Sequence, residues 1–295
     1  MDNIIFYYPS DESLSRKVAQ KLKLDLGEVI FRRFPDEETY VRIVSDIKNK
    51  NIILICGLCN PDAKLIPIIF FAKTAKRLGA KSVGLVAPYL GYLRQDKEFN
   101  SGEAINSKIF APLLSNYVDW LVTLDPHLHR HHKLNEVYTV EAFALHADYL
   151  IADWIKRNVD QPVLIGPDKE SKQWVQEVAK HAKAPYIVLQ KIRRGDREVE
   201  ISVPNVHEYK SHTPVLVDDI ISTARTMIET VRHLSDAEMK PTVCIGVHAI
   251  FVNHSYQDLL KEKVAQVVTC NTIQHESNTI DVSGLIAEFI KRLSS

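Results

Sequence analysis

Cysteine is scarce here: four in 295 residues, too few to staple a chain of this length through disulfides. A dominant charge sign is missing too. Lysine plus arginine and aspartate plus glutamate stand at 37 each, so a broad nucleic-acid or membrane-surface role has no electrostatic footprint. No apolar run reaches the length of a membrane span. The opening MDNIIFYYPSDESLS has no basic segment and meets acid and serine early, unlike a secretory signal. The expected compartment is the cytoplasm. Two familiar phosphate-binding signatures, G-x-x-x-x-G-K-[ST] and G-x-G-x-x-G, are also absent. Any nucleotide site must be built another way.

What the chain does have is ordinary globular composition, 45% hydrophobic and 25% charged, enough for two domains. Cys56 and Cys59 form a C-x-x-C, but Asn60-Pro61 follows where a redox motif would start a helix. Cys244 and Cys270 do not form the second pair that a zinc site wants. A core cysteine followed by a loop cysteine is the expectation. The histidine-rich HLHRHH, with His127, His129, His131 and His132, has no matching carboxylate or cysteine set for zinc.

Short apolar runs alternate with helical patterns along the whole length. Strands are expected at Ile4–Tyr8, Ile52–Cys56, Ser82–Ala87, Trp120–Leu124, Val163–Ile165, Tyr186–Leu189, Val215–Val217, Val243–Val247 and Val264–Thr269. Helices are expected at Ala63–Leu78, Ala104–Tyr117, Leu145–Lys156, Ser171–Ala182, Thr223–Leu234 and Leu285–Leu293. Such alternation predicts an α/β chain with mainly parallel sheets flanked by helices. A break near Val140–Leu145 splits it into domains at 1–142 and 143–295, with the last helix a candidate to pack back on the first domain. Two hairpins interrupt the pattern, one around Phe34–Glu38 and one around the Gly195-Asp196 turn.

The stretch PVLVDDIISTART carries the most chemistry. A greasy run ends in Asp218 and Asp219, then Ser222, Thr223, Ala224, Arg225 and Thr226 lead into a helix. Ligands of open α/β sheets bind beyond the carboxyl ends of strands, and a helix N-terminus favours an anion. Acids before a hydroxyl-rich phosphate cradle suit a sugar phosphate, the acids accepting from ribose hydroxyls or holding a magnesium shell. The plainer alternative is a helix cap by Ser222 or Thr223.

These residues resemble the ribose-phosphate loop of phosphoribosyltransferases and of ribose-phosphate diphosphokinases, also called phosphoribosyl pyrophosphate (PRPP) synthetases. Other segments favour the second family. FPDEETYVRI resembles its adenine-contacting loop and APYLGYLRQDKEF its Pro-Tyr…Arg-Gln-Asp segment. TLDPHLHR resembles its Asp-x-His segment, IGPDKES its pyrophosphate loop, and LQKIRR the Lys-x-Arg of its flexible loop. The resemblance covers nearly the whole chain. It implies two tandem type I phosphoribosyltransferase-like domains. It also implies magnesium-dependent transfer of the β,γ-diphosphoryl group of ATP to the 1-hydroxyl of ribose 5-phosphate.

Carried over residue by residue, the resemblance assigns Lys191 and Arg193 to catalysis. It assigns Phe34, Asp36, Glu37, Glu38, Arg94, Gln95 and His127 to ATP. Ribose 5-phosphate falls to Arg193, Asp218, Asp219, Ser222, Thr223, Ala224, Arg225 and Thr226. His127 and Asp168 would face Mg2+, with His129 able to share that role. Lys191 and Arg193 alternate on a strand and so share a face, and a closing hairpin would exclude water.

Three departures from the family pattern stand out. Arg225 occupies a place where the phosphate turn usually has glycine. Lys169-Glu170-Ser171 replaces a glycine-containing loop, and the residues after His127 lack the Gln-and-Phe-rich segment of the ADP-regulated class. A homodimer, or a higher homo-oligomer, is expected. A non-catalytic regulatory paralogue and a phosphoribosyltransferase are the alternatives. The first has no need of Lys191 and Arg193, and the second has no need of an ATP site.

Overall fold

The apolar runs become parallel strands in two separate sheets. The computed structural model of the chain describes residues 2–128, 131, 133–168, 171–194, 198–202 and 206–293. It divides into two units, Met1–Leu145 with Thr272–Gln274 and Ser283–Ser295, and His146–Asn271 with His275–Val282. Among the described residues no helix is long and apolar enough to cross a membrane.

Unit 1 begins with β1 (Asn3–Tyr7), α1 (Glu12–Leu22), β2 (Val29–Arg33) and β3 (Thr39–Ile43). It continues with β4 (Asn51–Ile55), α2 (Asp62–Arg77), β5 (Ser82–Ala87), α3 (Asn106–Ser115), β6 (Trp120–Leu124) and β7 (Glu141–Leu145). The sheet runs β1-β4-β5-β6-β7 with every neighbour parallel, while β2 and β3 form a separate antiparallel hairpin. Parallel strands covered on both faces need continuous apolar sequence, and β4 and β5 are buried beyond their first residues. On α2, Ile68, Phe71, Ala72 and Ala75 recur at helical spacing and are buried. Phe71 meets Phe6 edge-on at 5.2 Å. Gly84 leaves room on β5 for the Trp120 ring, since a Cβ there would lie 1.9 Å from it.

Unit 2 contains α4 (Asp148–Asn158), β8 (Pro162–Gly166), α5 (Lys172–Ala182), β9 (Tyr186–Val188) and the hairpin strands β10 (Gln190–Arg194) and β11 (Glu198–Ser202). After these come β12 (Thr213–Ile221), α6 (Arg225–Asp236), β13 (Thr242–Ala249), α7 (Ser255–Leu260), β14 (Val264–Cys270) and β15 (Asn278–Ile280). Its sheet order is β15-β14-β13-β12-β8-β9, again parallel throughout. On α6, Met227, Thr230, Val231 and Leu234 form the buried stripe. The last helix, α8 (Ser283–Leu293), belongs to unit 1. There Phe289 packs on Trp120 at 6.4 Å and on Phe143 at 4.9 Å.

The structure differs from the sequence reading in a few places. The periodicity assigns nothing to Glu12–Leu22, whose buried stripe of Leu14, Val18 and Ala19 is narrow among charges. Leu145 closes strand β7 instead of opening a helix, and α4 starts at Asp148. The strand expected at Val215–Val217 runs on through both acids to Ile221. Its extension pairs with β13, Asp218 opposite Gly246 and Ile220 opposite His248. Gly246 permits this, because a Cβ there would meet Ile221 Cγ1 at 2.6 Å.

Candidate active site

In unit 2 the two acids lie inside the carboxyl-terminal part of β12, not past its end. The Asp219 N–H donates to Asp218 Oδ1 at 3.0 Å. Burial pushes the Asp218 carboxyl well above the usual range. The negative charge of Asp219, a side-chain hydrogen bond with it, and the charge of Asp168 push the same way. Asp168 lies in the loop after β8, where its Oδ1 accepts the Ser171 N–H at 3.0 Å. The Ser171 hydroxyl donates back to the Asp168 carbonyl at 2.7 Å.

The turn after β12 corrects two expectations. The residue before α6 is Ala224, not Ser222 or Thr223, and no side-chain hydrogen bond is seen at that cap. Ala224 is buried and left-handed, with φ 54° and ψ 6°. Arg225 is the exposed first residue of the helix. The position that wants glycine is therefore Ala224, and the concern about Arg225 moves one residue back. An alanine there costs about 1 kcal/mol relative to glycine. Ser222 and Thr226 are half-buried and Thr223 is exposed, so all three hydroxyl residues stand in or near this turn.

Lys191 and Arg193 fall on β10, opposite Ile201 and Val199 of β11. The Gly195-Asp196 turn with Arg197, the Lys169-Glu170 part of the pyrophosphate loop, and His129 and His132 lie outside the described residues.

In unit 1 the hairpin β2–β3 carries an aromatic platform. Phe34 is 38% exposed and meets Tyr40 edge-on at 5.7 Å. The Arg32 guanidinium sits 4.5 Å from the Phe34 ring centre and 4.0 Å from that of Tyr40. Sequence reasoning missed Arg32 and Tyr40. Their signal was the hairpin register, which places them directly opposite each other. At the hairpin tip, Asp36 Oδ1 accepts the Glu38 N–H at 3.3 Å. Glu37, at φ 68°, pairs with Arg33 at 3.0 Å.

Arg94 is exposed in the loop after β5. Gln95 braces that loop, its Nε2 donating to Glu103 Oε2 at 3.1 Å and to the Lys97 carbonyl at 3.3 Å. Glu103 also accepts from the Asn100 side chain and from the Phe99 and Asn100 N–H groups. These bonds hold its carboxyl down at about 2. His127 follows β6 and is half-buried. Cys56 is buried and Cys59 half-buried, burial pushes both thiols up, and neither is in a disulfide. Such thiols are inert. Among the described residues no three His, Cys, Asp or Glu side chains form a metal cage.

Residues 3–117 match the N-terminal domain of ribose phosphate pyrophosphokinase, and residues 133–284 match the phosphoribosyl transferase domain. A ribose-phosphate pyrophosphokinase from Thermoplasma acidophilum is 31% identical over 281 residues, 95% of this chain and 96% of that one. One from Saccharolobus solfataricus is 33% identical over 286 residues, covering 94% and 95%. The fold is that of the phosphoribosylpyrophosphate synthetase of Mycobacterium smegmatis, with TM-score 0.88, 21% identity, and 100% and 99% of the two chains covered. Both halves of the sequence, and relatives matched almost end to end, lead to one assignment: the chain belongs to the ribose-phosphate pyrophosphokinase family.

Proposed function

We propose that the chain is an active ribose-phosphate diphosphokinase, making PRPP and AMP from ATP and ribose 5-phosphate. The observation that carries this reading is the end of β12. Half-buried acids there lead into a left-handed residue and the start of α6. Asp218 and Asp219 accept hydrogen bonds from the ribose hydroxyls. The N–H groups and hydroxyls of Ser222–Thr226 hold the 5-phosphate, with the helix dipole favouring its charge. Arg225, first in the helix and exposed, offers a guanidinium to the same phosphate.

On the donor side, Phe34 offers a ring face to adenine. Asp36, Glu37, Glu38, Arg94, Gln95 and His127 are the remaining ATP residues. Lys191, with Arg193 beside it, places positive charge on the diphosphoryl group in transit and on the departing AMP oxygen. Such transfer depends on positioning and charge more than on covalent steps. Mg2+ fits the donor set of unit 2. It takes oxygen ligands and keeps several waters, so carboxylates with substrate phosphates suffice and a closed cage is not needed. Asp168 is the unit 2 residue that would hold it; His127, in unit 1, is assigned to ATP. When bound, the ion supplies charge neutralisation to the triphosphate. Burial raises the Asp218 carboxyl first and the charges of Asp219 and Asp168 add to it, and a cation or donor-rich ligand would offset that like charge.

Phosphorus NMR of the purified protein with ATP, magnesium and ribose 5-phosphate tests the proposal. AMP and PRPP signals growing in equal amounts, dependent on both substrates, are the expected result. Nucleotide binding without PRPP would instead assign a regulatory role.

A further inference from the structure

The end of β12 is held from behind by another loop. Residues 250–254 join β13 to α7, and four donors from this loop and from Ser255, the first residue of α7, reach two carbonyls. The Ile250 and Phe251 N–H groups both donate to the Ile221 carbonyl at 3.0 Å. The Val252 N–H donates to the Ser222 carbonyl at 3.2 Å, and the Ser255 hydroxyl donates to the same oxygen at 2.8 Å. Both lone pairs of the Ser222 carbonyl are thereby engaged. Ser255 is 6% exposed and is the side-chain member of this set. Its own N–H donates to the Val252 carbonyl at 3.1 Å, which folds the loop so that both donors to Ser222 come from one side.

A peptide unit is planar and trans, so its N–H points opposite to its C=O. Pinning the Ile221 carbonyl therefore aims the Ser222 N–H away from the 250–254 loop. Pinning the Ser222 carbonyl does the same for the Thr223 N–H. These are the first N–H groups of the proposed phosphate turn. The brace matters more here because Ala224 takes the left-handed conformation without being glycine. The cost of that conformation and the net worth of one buried hydrogen bond are of the same order.

We propose that Ser255 is a positioning residue for ribose 5-phosphate, fixing the Ser222 peptide and so the aim of the Thr223 N–H at the 5-phosphate. This rests on the reading of the Ser222–Thr226 turn given above. The 5-phosphate is remote from the reacting 1-hydroxyl. Losing its alignment weakens binding of substrate and transition state alike, which raises KM and spares kcat.

The test combines saturation kinetics in ribose 5-phosphate with hydrogen exchange of the ligand-free protein, for the wild type, Ser255→Ala and Ser255→Thr. In Ser255→Ala, the KM for ribose 5-phosphate rises about tenfold while kcat stays within about twofold. The KM for ATP is unchanged, and amide exchange across residues 222–226 quickens. Ser255→Thr, which keeps the hydroxyl, moves these values back towards the wild type. Unchanged KM and unchanged exchange in Ser255→Ala overturn the proposal. So does a fall in kcat and melting temperature with KM constant, the mark of a packing residue. A wild type that makes no PRPP defeats the functional reading alone. The exchange measurement, made without substrate, still decides whether Ser255 holds the turn.

Discussion

Asp11 in unit 1 and Asp218 in unit 2 are both acids pushed up by burial, yet their surroundings are opposite. Asp11 follows β1, and its Oδ1 accepts the N–H of Gly57 in the loop after β4 at 3.0 Å. The Ser10 hydroxyl donates to its other oxygen at 2.7 Å, and the charge of Lys64 draws its pKa back down. Lys64 is itself 8% exposed and donates to the Gly57 carbonyl at 2.5 Å and to Ser10 Oγ at 3.0 Å. Asp218 has carboxylates where Asp11 has a lysine, and Asp219 and Asp168 push its pKa the same way as burial does. Both acids stand near the carboxyl ends of parallel strands. One group sets an acid beside a cation, and the other sets acid beside acid. On the proposed function, that contrast separates a braced strand end from the one assigned to substrate.

Four experiments would break or sharpen the contrast. The largest effect is expected on activity. Asp218→Asn keeps the size and removes the charge, and kcat/KM for ribose 5-phosphate should fall about a hundredfold. Steady-state kinetics that returned the wild-type value would take Asp218 out of substrate binding. Next comes Lys64→Ala, which leaves Asp11 buried beside no cation. Urea unfolding should show a loss of about 2 kcal/mol, less than for a fully ionised orphan because Asp11 already leans towards its protonated form. A negligible loss would mean that Gly57 and Ser10 suffice.

A smaller effect is expected in the pH dependence of stability. The folded state holds the Asp218 proton more tightly than the unfolded chain does. That contribution is present below about pH 4, the ordinary carboxyl value, and is lost as pH rises towards the raised folded value. In metal-free buffer, wild type and Asp218→Asn should melt together at low pH, and the wild type should melt lower as pH rises. Parallel curves across the range would show that the like charges do not destabilise the fold. Smallest is Ala224→Gly, which relieves the left-handed alanine and should add about 0.5 kcal/mol after the entropy of glycine is counted. Calorimetry showing a loss instead would place the strain elsewhere.

Much of this was legible in the sequence for a physical reason. Parallel strands covered on both faces must be continuous apolar runs, so Ser82–Ala87 and Trp120–Leu124 were read to the residue. The hairpin around Phe34–Glu38 announced itself by alternation and turn residues. What failed to show depended on a neighbour distant in sequence. β12 continues through Asp218 beside β13, where Gly246 leaves room for Ile221, and no local pattern contains that fact. The conformation that wants glycine settled on Ala224, while the sequence drew attention to Arg225. Arg32 and Tyr40 emerged once the hairpin register was known. Ser255 lies 33 residues from Ser222 and has the look of an ordinary loop serine until the chain is folded.

The last helix sets the order in which the molecule can be finished. Helix α8 packs with α1, buries Ile286, Ala287 and Ile290, and brings Phe289 onto Trp120 and Phe143. All of those partners are in the Met1–Leu145 part of unit 1, which is made first. On the ribosome, the sheet of unit 1 emerges early but keeps one face unfinished until residues 283–293 appear, after the whole of unit 2 has been synthesised. The half born first is therefore completed last, and its exposed Trp120 and Phe143 are surfaces a nascent chain must shelter in the meantime.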